Sequence, residues 1–438
     1  MNMQCLRLLG SFALLAVVLS LQSRVLAQGA PIDTSLASQY FQEAQTLCSQ
    51  DNGKLWGGSL CAPMLFVDRQ TRTVVANQAD REGILTKDGN VFIGKLPAKV
   101  NIANTAADWA GVKWTMIIFP LPEDKHRRAD LMAHELWHRI QNDLGFTSSG
   151  AANNHLDARD GRVWLQLEWR ALASALTSRG QLRRRAITDA LLFRAYRRGV
   201  FPQAAAQERE MEMHEGLAEY TGVRLSGSPN LNQYVVDNNL KEAAQKETFV
   251  RSFAYATGPA YGILLDEAGA DWRKNLKQED DLGTLLQKRL AIKLPSNIKA
   301  AAGARAKSYD GDRLEASETE RENKRQKLLA EYRARLVDGP ILAIPLQKMN
   351  MQFNPGNLLP LDSLGTVYPD IRVVDVWGIL TVSKGALMNP TFSRIYVSAP
   401  INLSASPKQG DGWTLELNAG WTIAAGERKG DYVVKKLE

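Results

Sequence analysis

The chain has 438 residues, 45% of them hydrophobic and 23% charged, with a formal net charge of +7. This length suits two or three domains, and the composition excludes collagen, coiled coil and wholesale disorder. The charge is too modest to argue for nucleic acid, and no run of apolar residues beyond position 27 is long enough to span a bilayer.

Residues 1–27 read as a secretory leader. Arg7 gives a positive start, 8–21 is an apolar run, and Val25-Leu26-Ala27 offers a small-residue cleavage site. Its removal takes Arg7 and Arg24 and no acid, so the net charge falls by two. The mature protein is expected to be secreted or periplasmic. No cysteine directly follows the apolar run, so a lipid anchor is not indicated. Cys5 leaves with the leader, and Cys48 and Cys61 are expected to form a disulfide.

Residues 28–122 read as a helix and an antiparallel sheet. The helix covers 35–50, with Tyr40, Ala44 and Leu47 on one stripe. Strand patterns follow at 64–67, 73–76, 83–86 and 91–94, with Lys87-Asp88-Gly89-Asn90 as a hairpin turn. A stronger apolar strand at 112–119 ends at Pro120 and Pro122. Within it, Trp114 reads as core. Residues 123–300 are mostly helical, with helices at 125–143, 159–178, 182–198, 204–225 and 249–268. Gly145, Gly180 and Gly199 fall where helices should stop. The basic run Arg183-Arg184-Arg185 with Arg194, Arg197 and Arg198 reads as a solvated helix face. Residues 301–337 are a charged connecting helix, with Leu328, Tyr332 and Leu336 as its apolar stripe at 311–336. Residues 338–438 form a small β domain, with strands at 341–346, 371–382, 394–398, 413–418, 421–425 and 432–434. Its Trp377, Trp413 and Trp421 serve either as core or as a ligand platform. The fold class is α+β.

One motif carries chemistry. Residues 134–138 are His-Glu-Leu-Trp-His. On a helix, His134 and His138 stand one turn apart on one face and can share a Zn²⁺ ion. Glu135 lies beside them and can take a proton from zinc-activated water. The chain has only five histidines, so the pattern is specific.

A third ligand is needed. Residues 214–220 are His-Glu-Gly-Leu-Ala-Glu-Tyr. Together, His134-Glu135-x-x-His138 and Glu215-Gly216-Leu217-Ala218-Glu219-Tyr220 resemble the gluzincins, the group that includes thermolysin-like enzymes and zinc aminopeptidases. The resemblance covers roughly residues 110–270. It implies a catalytic unit made of a sheet and a helical half, with one zinc per chain and Glu215 as third ligand. Glu219, one turn on, can then accept the outer N–H of a ligand histidine. Gly216 would let this helix approach the motif helix closely. Glu168, beside an arginine on its own helix, is the rival ligand. A solvated acidic stripe of Glu208, Glu212, Glu215 and Glu219 is the bland alternative. His214 should point about 100° away from Glu215 and either support the ligands from outside or act structurally. Tyr255-Ala256-Thr257-Gly258 resembles the Tyr-x-x-Gly of zinc aminopeptidases, which implies Tyr255 as oxyanion stabiliser, with Tyr261 as the alternative. The strand at 112–119 would be the edge strand of a gluzincin, where an extended peptide can pair. The helices at 159–198 read as an insertion. No Gly-Ala-Met-Glu-Asn segment is present, so the resemblance carries metal chemistry and not aminopeptidase specificity.

The expected function is a zinc-dependent metallopeptidase acting on a peptide or protein substrate, with Glu135 as general base. The alternatives are a zinc amidase on a non-peptide or cell-wall bond, or a catalytically silent metallo-fold that presents its β domain to a partner.

Overall fold

The computed structural model describes residues 32–97, 100, 102–147, 153–269, 271–354 and 357–437, and the expected leader lies outside them. An N-terminal helix and sheet lead into a helical body, and a β region follows.

Helix α1 (Thr34–Asp51) starts where the Asp33 carboxylate accepts the backbone N–H groups of Ser35 and Leu36. Its apolar face buries Tyr40, Phe41, Ala44 and Leu47. Phe41 stacks on Phe66 of the sheet, with centroids 4.4 Å apart. The Cys48–Cys61 disulfide ties the end of α1 to the segment entering the sheet. By loop-closure entropy it contributes about 3 kcal/mol.

The sheet contains β1 (Met64–Asp68), β2 (Thr73–Ala76), β3 (Thr86–Asp88), β4 (Val91–Lys95), β5 (Thr105–Trp109) and β6 (Val112–Phe119), in the order β3-β4-β2-β1-β6-β5. Strand alternation separates its two faces. Phe66, Val75 and Ile117 pack against α1 and the next helix, while Leu65, Val74, Trp114 and Met116 form a second core on the far side. Two expectations fail here. The sheet is not wholly antiparallel, because β1 and β6 run parallel with Met64 opposite Thr115. Nor is β6 the edge. It lies between β1 and β5, and β5 forms the edge. The segment Thr105-Ala-Ala-Asp-Trp alternates too weakly to announce a strand. The expected strand at 83–86 is displaced to β3.

Helix α2 (Lys125–Ile140) is capped by Asp124, whose carboxylate accepts from His126 and Arg127. Met132, Ala133 and Leu136 bury against the sheet. Then come α3 (Arg159–Thr177), α4 (Gly180–Val200) and α5 (Ala204–Met211). A π-turn over Glu212–Gly216 joins α5 to α6 (Leu217–Leu225). Short helices α7 (Leu231–Val235) and α8 (Lys241–Ala243) precede α9 (Ser252–Glu267), followed by α10 (Leu282–Arg289) and α11 (Ile298–Ala306). No helix among the described residues is long and apolar enough to cross a membrane.

Helices α3 and α4 belong to the main helical core. Trp169, Leu172, Leu191 and Phe193 share one core with Tyr220, Phe253 and Leu264. The arginines of α4 divide: Arg184 and Arg185 are exposed as a solvated face should be, but those of the second half are not. Arg194 and Arg197 are buried, and with Arg198 they meet Glu168, Glu208, Glu212 and Asp281. Cation and anion enter the low-dielectric interior together, since neither is tolerated there alone.

Helix α12 (Gly311–Arg333) does more than connect. Leu314 joins the helical core, and buried Glu318 accepts from Arg162 Nε on α3 at 2.9 Å. Leu328 is exposed, whereas Tyr332 and Leu336 are buried against the β region. That region comprises a seven-stranded and a six-stranded sheet. The expected strand at 371–382 is a hairpin of Ile371–Asp375 and Gly378–Val382. Trp377 and Trp413 are core residues whose indole N–H groups donate to the carbonyls of Pro345 and Ser398. These two form no ligand platform, and Trp421 is half-buried against the same core.

Candidate metal centre

Helix α2 carries His134, Glu135 and His138 onto the side facing α6 and α9. The helical spacing brings the two imidazoles together, with Nε2 atoms 3.0 Å apart. Each ring is oriented by an acceptor at its other nitrogen. His134 Nδ1 lies 2.8 Å from Glu219 Oε2, and His138 Nδ1 lies 2.7 Å from Gln141 Oε1. An ionised carboxylate and an amide oxygen only accept, so both protons sit on Nδ1. With one proton on each ring, both Nε2 atoms present lone pairs to one point. Glu215 Oε2 faces the same point, 3.7 Å from His134 Nε2 and 3.4 Å from His138 Nε2. The three ligand atoms lie within 4.8 Å of one another.

Two imidazole lone pairs and a carboxylate oxygen crowded at one point repel, so this arrangement calls for positive charge. Protons on the imidazoles are one source of that charge. Burial alone would lower the pKa of His134, but Glu215, Glu219 and Glu135 outweigh it and hold the value well above the ordinary range. Burial alone would raise Glu215, but hydrogen bonds from His134, His138 and His214 hold it far below. A divalent cation would satisfy all three atoms, and two imidazoles with a carboxylate are a donor set that fits zinc. His134 and Glu215, both buried, and half-buried His138 form a group that could hold a metal ion.

Glu135 is 4% exposed, and its Oε2 has no hydrogen-bond partner. Burial raises its carboxyl above the ordinary value.

Glu215 reaches the histidines because of the π-turn. In an unbroken α-helix, Glu208, Glu212, Glu215 and Glu219 would share one stripe. The turn holds one extra residue, which rotates the succeeding helix by about 100°. Glu208 and Glu212 consequently face the arginines of α4, whereas Glu215 and Glu219 face α2. Glu208, Glu212 and Glu215 are buried, so there is no solvated stripe.

Glycines set two helix contacts. A Cβ on Gly222 would stand 2.0 Å from Asp130 Oδ1 of α2, so Gly222, not Gly216, permits the approach to the motif helix. Gly216 lies instead against α9, where a Cβ on Gly258 would come within 2.3 Å of the Gly216 Cα.

Helix α9 supplies Tyr255, which stacks on His134 with centroids 5.4 Å apart and donates its hydroxyl to Glu215 Oε2 at 2.5 Å. Tyr261 is elsewhere. It donates to Glu168 Oε1 at 2.7 Å, and Glu168 also accepts from Arg197 Nη1 at 2.5 Å and Arg194 Nη1 at 3.2 Å. Glu168 is thus held inside the arginine network and does not join the histidines.

Three residues around the ligands had no assigned role, and His214 takes up the supporting one of its two expected roles. His214 does reach Glu215, with Nδ1 3.3 Å from Oε1, and packs on His138 with ring centroids 5.2 Å apart. Arg251 donates to Glu215 Oε1 at 2.8 Å. Its position one turn before Tyr255 was the available signal. Gln141 could have been found three residues after His138. Asn239 donates to Glu219 Oε1 at 2.6 Å, and no local pattern announces it.

No protein-family model matches this chain, and neither a curated protein nor a solved structure does.

Proposed function

We propose that this chain is a zinc-dependent metallopeptidase of gluzincin type, cleaving peptide bonds with Glu135 as general base. The observation that carries the reading is the convergence of two imidazole lone pairs and one carboxylate oxygen whose outer hydrogen bonds are already made. His134, His138 and Glu215 would hold the ion. Zinc bound there would act as a Lewis acid toward the scissile carbonyl and acidify water.

The chain's own groups do the rest. Glu135 takes the proton of the attacking water and returns it to the leaving amine. Its raised pKa brings it nearer the working pH of a general base. Burial and the neighbouring Glu215 push Tyr255 well above its ordinary value, so its hydroxyl stays protonated and can donate to an oxyanion. Glu219 and Gln141 fix the ring orientations of the two histidines. Strand β5 lies against α2, and its open edge can pair with an extended peptide. The leader and the disulfide support an extracytoplasmic location.

The test is metal analysis of the purified chain, with mass spectrometry of a peptide library incubated with it. About one zinc per chain is expected, with cleavage abolished by a chelator and restored by zinc. A chain that takes up no divalent metal, or a zinc-loaded chain that cuts nothing, sinks the proposal.

A further inference from the structure

We propose that His214 and Arg251 clamp one oxygen of Glu215, so that this carboxylate offers a single oxygen to the metal. The inference rests on the reading of His134, His138 and Glu215 as ligands.

The two oxygens of Glu215 have different surroundings. Oε1 faces Arg251 Nη2 at 2.8 Å and His214 Nδ1 at 3.3 Å. Oε2 faces the two ligand imidazoles and accepts from Tyr255. A carboxylate with both oxygens free can bind a cation through one or through both. Two donors on Oε1 hold it away and fix the rotamer that aims Oε2 at the histidines. The donors come from separate elements, His214 from the π-turn and Arg251 from the residue preceding α9.

The π-turn also accounts for His214. Adjacent residues on an α-helix diverge by about 100°. The wider π-turn brings His214 and Glu215 closer in angle. Its ring is fixed on the other side by His138. The Arg251 side chain is 65% exposed, so it contributes hydrogen bonds and not core packing. Its removal opens no cavity.

Cobalt(II) in place of zinc gives the readout, because its visible absorption reports coordination number. The native chain is expected to give an intense four-coordinate spectrum. The double variant His214→Phe with Arg251→Met should show the weaker absorption of a higher coordination number and bind cobalt about 10-fold more weakly in chelator competition. Arg251→Gln keeps a donor without the charge and should retain the native spectrum. A folded double variant with native spectrum and affinity overturns the clamp. So does an Arg251→Met single variant that matches Arg251→Gln while His214→Phe changes nothing. A native chain that binds no cobalt overturns the metal site itself and the clamp with it.

Discussion

Replacing Glu135 with glutamine tests whether a side chain that strains the fold is kept for its chemistry. The carboxylate is 4% exposed, and Oε2 has no partner. A buried oxygen left in that state costs about 1–3 kcal/mol. The pH dependence has a definite sign. The folded-state pKa lies above the ordinary 4.5, because burial disfavours the charge. The penalty is therefore absent below pH 4.5, grows as pH rises through the folded-state value and is complete above it. Glutamine has nearly the same shape and cannot ionise. In metal-free protein, Glu135→Gln should be more stable than the parent by about 1–2 kcal/mol at pH 7, with the gain vanishing near pH 4. In zinc-loaded protein, kcat should fall about 10²–10⁴-fold with zinc content unchanged. Denaturant midpoints at the two pH values with chelator present, peptide turnover and metal analysis read the three quantities. A loaded variant that cuts at the parent's rate refutes the general-base role. A metal-free variant that is no more stable at pH 7 refutes the argument from burial.

Glu219→Ala removes the acceptor of the His134 Nδ1 proton and one of the two acceptors of the Asn239 amide, so metal affinity should fall about 10–100-fold in chelator competition. Glu168→Gln should leave that affinity unchanged and lower stability by about 1–3 kcal/mol, since Arg194 and Arg197 lose one of their anionic partners and Tyr261 its charged acceptor. Tyr255→Phe should lower kcat about 10²-fold with KM and zinc content unaltered. Tyr261→Phe should leave kcat alone and cost about 1 kcal/mol in unfolding experiments. Burial would raise Glu208, but Arg197, His155 and Arg198 outweigh it and hold its carboxyl well below the ordinary 4.5. Its contribution is thus full above that pH and lost on acidification. Arg197→Met should accordingly destabilise the chain far more at pH 7 than at pH 3 in thermal unfolding.

How much of this was legible in the sequence depends on how local each feature is. His134, Glu135 and His138 needed only helical spacing, and the structure places both imidazoles at one point. Helix α1 and strands β1, β2 and β4 followed from apolar periodicity and turn residues, and they fall within a residue of their expected limits at most ends. Strand β5 stayed hidden because its side chains do not alternate strongly. The parallel pairing of β1 with β6 joins segments some 50 positions apart, and no local pattern encodes it. Glu215 entered only through a resemblance. On local grounds Glu219 one turn on favoured it, and Glu168, with an arginine two positions on, stayed as the rival. What separates them is Arg194 and Arg197, which reach Glu168 from another helix.

The same separation explains why the helical body holds so many buried carboxylates. Four glutamates at 208, 212, 215 and 219 repeat like one helix face. A single face of four buried acids would need one cluster of cations, and such a cluster would exclude a metal ion by charge repulsion. The π-turn divides the run in two. The first pair is neutralised by arginines of α4, which keep their charge at every accessible pH. The second pair faces imidazoles, which are neutral when their Nε2 atoms are free to coordinate. One half of the run is thereby committed to holding α4 and α5 together. The other half retains unmet negative charge within reach of two lone pairs, and that is the condition a metal centre requires.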